Sequence, residues 1–204
     1  FCRSKDSKRS GNCDSTGIMK QLKEILYKAG LLEVIGTTAT EVDSIYFNSS
    51  AVTNGSLFVA VRGTKSDGHE FILNAVEAGA YAIVCEEFPK KIRQGITYVK
   101  VTNSSIALSV IAANFYNNPS EKLKLIGITG TNGKTTTATL LFNLFQKLGY
   151  RSGLLSTVQN QVNEQVIAAT HTTPDPVNLN SLLALMVREN CEYCFMEVSS
   201  HAIA

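Results

Sequence analysis

The segment LIGITGTNGKTTTATLL, residues 125–141, decides the fold of the C-terminal half of this 204-residue chain. Apolar residues from 123 to 129 predict a buried strand, and the apolar spacing after Lys134 predicts an amphipathic helix. Gly130 and Gly133 give the turn between them its backbone freedom. A strand, a glycine turn and a helix in this order are typical of a phosphate-binding loop, because loop N–H groups and a helix N-terminus both attract anions.

The side chains of this loop fit a nucleotide triphosphate with its metal. Lys134 supplies a point charge for the β and γ phosphates, and the Thr135 hydroxyl suits Mg²⁺. The standard pattern G-x-x-x-x-G-K-[ST] would place a glycine where this chain has Ile128, which disfavours a generic nucleotide switch or kinase. An ordinary glycine turn would gain nothing from Lys-Thr at the helix start. The predicted ATP contacts are Gly130, Thr131, Asn132, Gly133, Lys134, Thr135 and Thr136.

The residues after the loop continue an α/β pattern. The helix from 134 to 148 is expected to turn its large apolar residues inward, and a strand follows at 153–157. These inward residues are Leu140, Leu141, Leu144, Phe145 and Leu148. Asp175 is predicted to cap a second helix, with Pro176 at its first position. A further strand is expected at 193–198. Three parallel strands and two helices are too few for a typical doubly wound sheet, so this domain is expected to be incomplete.

The N-terminal half alternates strands and helices as well. A helix is expected from Met19 to Gly30, and another from a cap at Ser104 or Ser105 to about residue 116. Strands are expected at 45–47, 56–61, 81–85 and 97–101. We predict an α/β chain in three parts: a non-core tail at 1–18, with Met19 a candidate natural start, a domain at 19–118, and the start of a second at 119–204.

Composition narrows the class of protein. Apolar residues make up 44% of the chain, enough for a core, and the formal net charge of +2 does not favour a nucleic-acid partner. No apolar run approaches the roughly 20 residues of a membrane span, and no secretory signal is apparent. We therefore expect a cytoplasmic enzyme. Five cysteines suggest no disulfide framework. Cys191 and Cys194 lack the second pair that a zinc site needs, so they are expected to be ordinary core residues.

Four segments together resemble the Mur ligases, which build the peptide stem of bacterial peptidoglycan. They are GTNGKTT at 130–136, HTTPDP at 171–176, MEVSSHA at 196–202, and GSLFVAVRG at 55–63 with DGH at 67–69. The resemblance covers residues 19–204 and is nearest to the family members that add the third residue of the stem. It implies that 19–118 binds a UDP-linked substrate and that 119–204 begins the central ATP-binding domain.

The resemblance also implies a reaction. ATP, with Mg²⁺, would phosphorylate the terminal carboxylate of UDP-MurNAc-L-Ala-D-Glu, and the amine of the incoming amino acid would attack the acyl phosphate. That amino acid is most often meso-diaminopimelate in the family. The reactants are all anionic, so the protein's task is to supply cations and donors that hold them together. A bacterial cytoplasmic monomer is expected, with small-molecule substrates and neither nucleic acid nor membrane as a partner.

The resemblance assigns roles to single residues. Lys134, Glu197 and His201 would be catalytic, and Thr135 with Glu197 would hold the metal. The implied substrate contacts are Phe47, Ser49, Thr64, Lys65, Ser66, His171, Thr172, Thr173 and Ser199. The chain departs from the family twice. Family members often have Asn at position 171, and they usually have Asp-Ser-Arg where residues 48–50 read Asn-Ser-Ser.

Other interpretations remain open at this point. The family's enzymes have three domains, so we expect this chain alone not to complete the ligation. Another Mur ligase or a folylpolyglutamate synthase would share the phosphate loop. A nucleotide-binding module without ligase chemistry would bind ATP but no UDP-linked peptide. A non-catalytic fragment kept for interaction is the third alternative.

Overall fold

The computed structural model describes residues 19–63, 66–168 and 174–199. The first half contains β1 Lys20–Gln21, α1 Leu22–Ile25, β2 Leu31–Ile35, β3 Glu41–Val42, β4 Ile45–Tyr46, β5 Leu57–Val59, α2 Ile72–Glu77, β6 Ala82–Cys85, β7 Thr97–Val101 and α3 Ser104–Phe115. The second contains β8 Lys124–Ile128, α4 Lys134–Lys147, β9 Ser152–Leu155, β10 Gln159–Val162, β11 Gln165–Ala168, α5 Pro176–Arg188 and β12 Tyr193–Glu197. Short 3₁₀ turns lie at Ser49–Ala51, Gly68–Phe71 and Pro119–Lys122.

The first sheet has the strand order β2-β7-β6-β5-β4. Strands β4 to β7 are parallel, and β2 is antiparallel to β7. Helices cover both faces, as parallel strands require. Leu57 and Val59 pack with residues of α1 and α3, whereas Phe58 between them packs with α2 on the other face. The carboxyl ends of β4, β5 and β6 consequently lie along one edge.

The second sheet has the order β11-β10-β9-β12-β8. Strands β9, β12 and β8 are parallel, and the hairpin β10–β11 extends the sheet in antiparallel fashion. Leu154 and Phe195 pack with α4, whereas Leu155 and Cys194 pack with α5 on the opposite face. The carboxyl ends of the three parallel strands meet at a single edge, which is where open α/β sheets bind ligands.

The two sheets are connected by more than the chain between them. Helix α3 packs against α5, and Val177 of α5 lies against the core formed by α1, α3 and the first sheet. The connecting segment begins at Asn118, whose φ is 48°, and continues into the Pro119–Lys122 turn. This contact places the N-terminal end of α5 against the first half of the chain.

Several sequence predictions are confirmed. The parallel strands of both halves are present close to their expected bounds. Asp175 caps α5 through Oδ1, which accepts from the N–H groups of Val177 and Asn178 at 3.0 Å. Cys191 and Cys194 are free and buried, and burial raises the pKa of the Cys191 thiol to about 11 and that of Cys194 further. Both thiols are therefore inert core groups at neutral pH.

The prediction that the large apolar residues of α4 face inward is partly wrong. Ala138 and Phe142 are buried against the sheet, but Leu140, Leu144 and Leu148 are 64%, 49% and 62% exposed. The helix lies over β9 and β12, and β8 is the last strand on its side of the sheet within the described residues. Nothing in the described part of the chain therefore covers the flank of α4 that carries these three leucines.

Other local predictions also need correction. The cap of α3 is Asn103, whose side chain accepts from the Ile106 N–H at 2.9 Å, not Ser104 or Ser105. Helix α1 begins only at Leu22, because residues 20–21 pair with β3 instead. Strand β2 and the hairpin β10–β11 were not predicted, since their sequences lack a clear apolar alternation.

No helix in the described ranges is both long enough and apolar enough to cross a membrane.

Gly153 offers a test of how α5 packs on the second sheet. A Cβ atom at this position would lie 2.3 Å from Met186 Sδ and 2.5 Å from its Cε. We expect Gly153→Ala to lower the free energy of unfolding by about 1–3 kcal/mol through overpacking, measured by urea denaturation. Ser105→Ala is the control, because this residue is exposed on α3 and the substitution adds no atom to the core. Equal losses in the two variants would contradict the packing described here.

Candidate functional site

The loop between β8 and α4 exposes backbone donors. Gly130 and Gly133 have φ angles of 148° and 78°, which favour glycine. The first helical bond runs from the Thr137 N–H to the Gly133 carbonyl at 2.9 Å. No hydrogen bond to a described residue is made by the N–H groups of residues 134–136. These donors, together with the helix N-terminus, form a setting for phosphate oxygens.

Lys134 lies over this loop. Its Nζ donates to the Gly130 carbonyl at 2.6 Å. The ammonium group is thus held at the mouth of the loop, where an arriving phosphate can replace the carbonyl as its partner.

Glu197 is the buried acid of the site. It ends β12 opposite Ile128 of β8, and only 1% of it is exposed. Oε1 accepts from the Thr157 N–H at 3.1 Å, and Oε2 accepts from the Thr157 hydroxyl at 2.9 Å. Within the described ranges, no Lys, Arg or His forms an ion pair with this carboxylate. A buried carboxylate without a cation is costly, so the site fits a metal ion.

Thr157 joins the acid to the phosphate loop. Its Oγ1 lies 3.4 Å from Thr135 Oγ1 as well as within hydrogen-bond distance of Glu197. No group of three or more His, Cys, Asp or Glu side chains that could hold a metal occurs among the residues described. Any divalent cation here would therefore depend on a hydroxyl and one carboxylate, with phosphate oxygens completing its shell.

Thr157 was not predicted from the sequence. The available signal was its position at the end of the strand predicted at 153–157, which pairs with the strand that ends at Glu197. Hydroxyl residues are common in loops, so position alone did not single it out. The pairing of β9 with β12 is what gives it a role.

A second group of predicted residues lies at the carboxyl edge of the first sheet. Phe47, 40% exposed, and Ser49 follow β4, and Ser66 follows the neighbouring strand β5. The Asn48 side chain accepts from the Ser50 N–H at 3.1 Å and caps the 3₁₀ turn that carries Ser49. An aspartate would cap the turn in the same way, so the local geometry survives the departure from the family pattern at position 48.

Ion pairs pin the ends of the segment 63–66. Arg62 Nε lies 3.5 Å from Asp67 Oδ2 and 3.4 Å from Glu86 Oε2, and its Nη2 lies 2.7 Å from Glu87 Oε1. The Gly63 N–H donates to the Ser66 carbonyl at 3.0 Å. Residues 62 and 67 also form a β-bridge. Both ends of the predicted substrate loop are therefore fixed to the sheet.

Asp67 and Glu86 belong to a further network that sequence reasoning missed. The His69 N–H and Nδ1 contact Asp67 Oδ1 at 3.0 and 2.6 Å, and His69 Nε2 accepts from the Glu86 N–H at 2.8 Å. Glu86 Oε1 accepts from the Ser104 N–H and hydroxyl, both at 2.9 Å. The backbone bond from His69 holds the pKa of Asp67 below its usual value, and the bond from Ser104 does the same for Glu86.

The structure thus brings the predicted residues into two groups. Lys134, Thr135 and Glu197 lie at the carboxyl edge of the second sheet. Ser199, two residues after Glu197, is half-buried. Phe47, Ser49 and Ser66 lie on the edge of the first sheet. The other predicted ATP contacts, Gly130, Thr131, Asn132, Gly133 and Thr136, belong to the loop between β8 and α4 and to the first turn of α4. Six predicted site residues lie outside the described residues. These are Thr64, Lys65, His171, Thr172, Thr173 and His201.

Family comparisons match both halves of the chain. Residues 41–116 match the family described as "Mur ligase family, catalytic domain", and residues 128–204 match "Mur ligase middle domain". A protein of Cytophaga hutchinsonii named UDP-N-acetylmuramoyl-L-alanyl-D-glutamate–2,6-diaminopimelate ligase is 55% identical over 89% of this chain. A protein of the same name from Bacteroides fragilis is 50% identical over 90%. The chain spans 38% of the length of each relative.

Solved structures of Mur ligases are similar in fold to this chain. A structure titled UDP-N-acetylmuramoyl-L-alanyl-D-glutamate–2,6-diaminopimelate ligase has a TM-score of 0.71 at 20% identity, covering 91% of this chain and 37% of that one. The MurF ligase of Thermotoga maritima in complex with ADP has a TM-score of 0.54 at 26% identity, covering 77% and 32%. The likeness at 20% identity concerns the fold alone.

The network around Asp67 predicts a dependence of stability on pH. Because the pKa of Asp67 is lower in the folded state, its ionised form stabilises the fold above its unfolded pKa of about 3.9. That contribution is lost as the pH falls through the lower, folded value. We expect Asp67→Asn to lower the free energy of unfolding at neutral pH. Between about pH 7 and pH 3, this free energy should decrease less in the variant than in the wild type, as measured by urea denaturation. Glu164→Gln, in an exposed turn, is the control; an equal acid response in wild type and Asp67→Asn would contradict the assignment.

Proposed function

We propose that this chain, which belongs to the Mur ligase family, supplies the UDP-substrate-binding and ATP-binding regions of a ligase that adds the third amino acid to a UDP-linked muramoyl dipeptide. The observation that carries the proposal is the meeting of three strand ends. The phosphate loop, Thr157 and Glu197 come together at the carboxyl edge of the second sheet. An ATP-dependent ligase needs cations and donors at such a point.

The second half of the chain, residues 119–204, would bind ATP. The N–H groups of the loop and the Lys134 ammonium would hold its phosphates, and Thr135 with Glu197 would hold Mg²⁺. The metal, when bound, would neutralise phosphate charge. The protein's own residues would then orient the nucleotide beside the substrate carboxylate rather than react covalently. His201 would lie near these groups, as the family resemblance implies.

The first half, residues 19–118, would bind the UDP moiety. Phe47, Ser49 and Ser66 lie on one edge of its sheet, and ion pairs hold Arg62 and Asp67, which flank the predicted contacts Thr64 and Lys65 in sequence. The remaining predicted substrate contacts would reach the peptide end from the second half. These are His171, Thr172, Thr173 and Ser199.

The names of the relatives guide the choice of amino acid. Relatives at 47–55% identity are named as ligases of 2,6-diaminopimelate, so we infer that diaminopimelate is the third residue. The same names argue for UDP-N-acetylmuramoyl-L-alanyl-D-glutamate as the acceptor. The enzyme would act as a monomer in the bacterial cytoplasm, where nucleotide substrates are available.

Replacing the loop lysine tests the ATP assignment. Lys134→Ala removes the ammonium that lies at the loop mouth, and we expect the Kd for ATP to rise by about 10-fold or more, measured by calorimetry. Lys147→Ala, at the other end of α4, is the matched control and should leave the Kd unchanged. A folded Lys134→Ala protein with wild-type affinity would overturn the nucleotide assignment.

A separate titration tests the UDP-substrate assignment. We expect UDP-MurNAc-L-Ala-D-Glu to bind the wild-type chain in the absence of ATP, and Ser49→Ala to weaken binding by about 2- to 10-fold, the value of one hydrogen bond. Ser105→Ala, on the exposed surface of α3, is the control. A simple nucleotide-binding module would show no affinity for this ligand, and that result would refute the ligase proposal.

A further inference from the structure

We propose that Thr157 is a positioning residue that orients both Thr135 and Glu197 for the magnesium ion of the nucleotide. The inference rests on the proposed function, since it concerns how that site holds its metal. It begins from a residue that neither the phosphate-loop pattern nor the predicted site contains. Among the described side chains, Thr157 is the one within hydrogen-bond distance of both predicted metal ligands.

Thr157 holds the acid through two donors. Its backbone N–H and its hydroxyl both point to the Glu197 carboxylate, at 3.1 Å to Oε1 and 2.9 Å to Oε2. Two donors from one residue fix the rotation of a carboxylate better than either alone. Glu197 is buried, whereas Thr157 is exposed. Thr157 therefore lies between the buried acid and the open side of the loop.

The Thr157 hydroxyl has one proton to donate. An ionised carboxylate only accepts, so the single proton of the Thr157 hydroxyl belongs to Glu197. The Thr157 oxygen then faces Thr135 Oγ1, 3.4 Å away, with lone pairs only. Thr135 is then the hydroxyl of the two that has a proton to donate across this separation. The direction of donation runs from Thr135 to Thr157 to Glu197.

This direction has a consequence for metal binding. A hydroxyl binds a cation through its lone pairs, so its proton must be directed to another acceptor. Thr157 provides that acceptor for Thr135 and leaves the lone pairs of Thr135 available on the loop side. The 3.4 Å separation exceeds a typical O–H···O bond of about 2.7 Å, so Thr135 retains freedom to adjust to an ion. Thr157 thus orients Glu197 by donating to it, and it orients Thr135 by offering an acceptor for its proton.

The test uses substitutions that separate the hydroxyl from the volume of the side chain. Thr157→Val is nearly isosteric but lacks the hydroxyl, and Thr157→Ser retains it. ATP is titrated into the full chain by calorimetry, once with excess Mg²⁺ and once with EDTA. The ratio of the two Kd values reports how much the metal strengthens nucleotide binding, independently of catalysis.

We expect the valine variant to keep the wild-type Kd for ATP in EDTA and to lose about 10-fold of the gain that Mg²⁺ provides, the usual effect of removing a residue that orients metal ligands. The serine variant should recover most of this gain. Thr137→Val, an exposed threonine two residues after Thr135 in α4, should behave as wild type. A valine variant with the full Mg²⁺ effect would overturn the role of Thr157.

Two further outcomes are distinguishable. If wild type binds ATP without any Mg²⁺ effect, the proposed metal site itself fails, and with it this inference. If thermal melting shows that Thr157→Val is unfolded, Thr157→Ala replaces it, because an exposed side chain can be shortened with little loss of packing. Equal loss of ATP binding in Mg²⁺ and in EDTA by a folded variant would indicate a merely structural role and would refute the proposal.

Discussion

The burial of the Glu197 carboxylate is the constraint around which the second half of the chain is arranged. A charged group that is almost fully enclosed must be compensated, and within the described residues only the N–H and hydroxyl of Thr157 do so. Hydrogen bonds from neutral donors offset part of the desolvation cost but leave the charge in place. Two donors from one residue therefore anchor this carboxylate, and no cationic side chain of the described residues pairs with it.

The parallel strands make this arrangement possible. Strands β8, β9 and β12 run in the same direction, so the residues that follow them leave the sheet at one edge. Residues about 40 positions apart in sequence, Thr157 and Glu197, become hydrogen-bonded neighbours there. The rigid sheet fixes backbone positions, and the loops need only supply the chemistry.

In the first half of the chain, ion pairs act together with a glycine to hold the segment around residues 62–68. Arg62 is shared by three carboxylates, and Asp67 and Glu86 are further held by N–H groups from His69 and Ser104. Gly68 is required for a different reason, since a Cβ there would lie 2.7 Å from the backbone N and O of Val61. The described residues on either side of positions 64–65 are therefore held against the first sheet.

Local patterns in the sequence determined a large part of this protein. The residues from 124 to 147 predicted a strand, a glycine turn and a helix, and Asp175 before a proline predicted the start of α5, because these features depend on backbone geometry within a few residues. Tertiary structure decided which face of α4 is covered and which residues meet Glu197. Leu140 is apolar and helical in spacing yet exposed, because burial depends on the neighbouring elements and not on the helix itself. Thr157 acquires its role only when β9 pairs with β12, a contact between distant segments that no short pattern records.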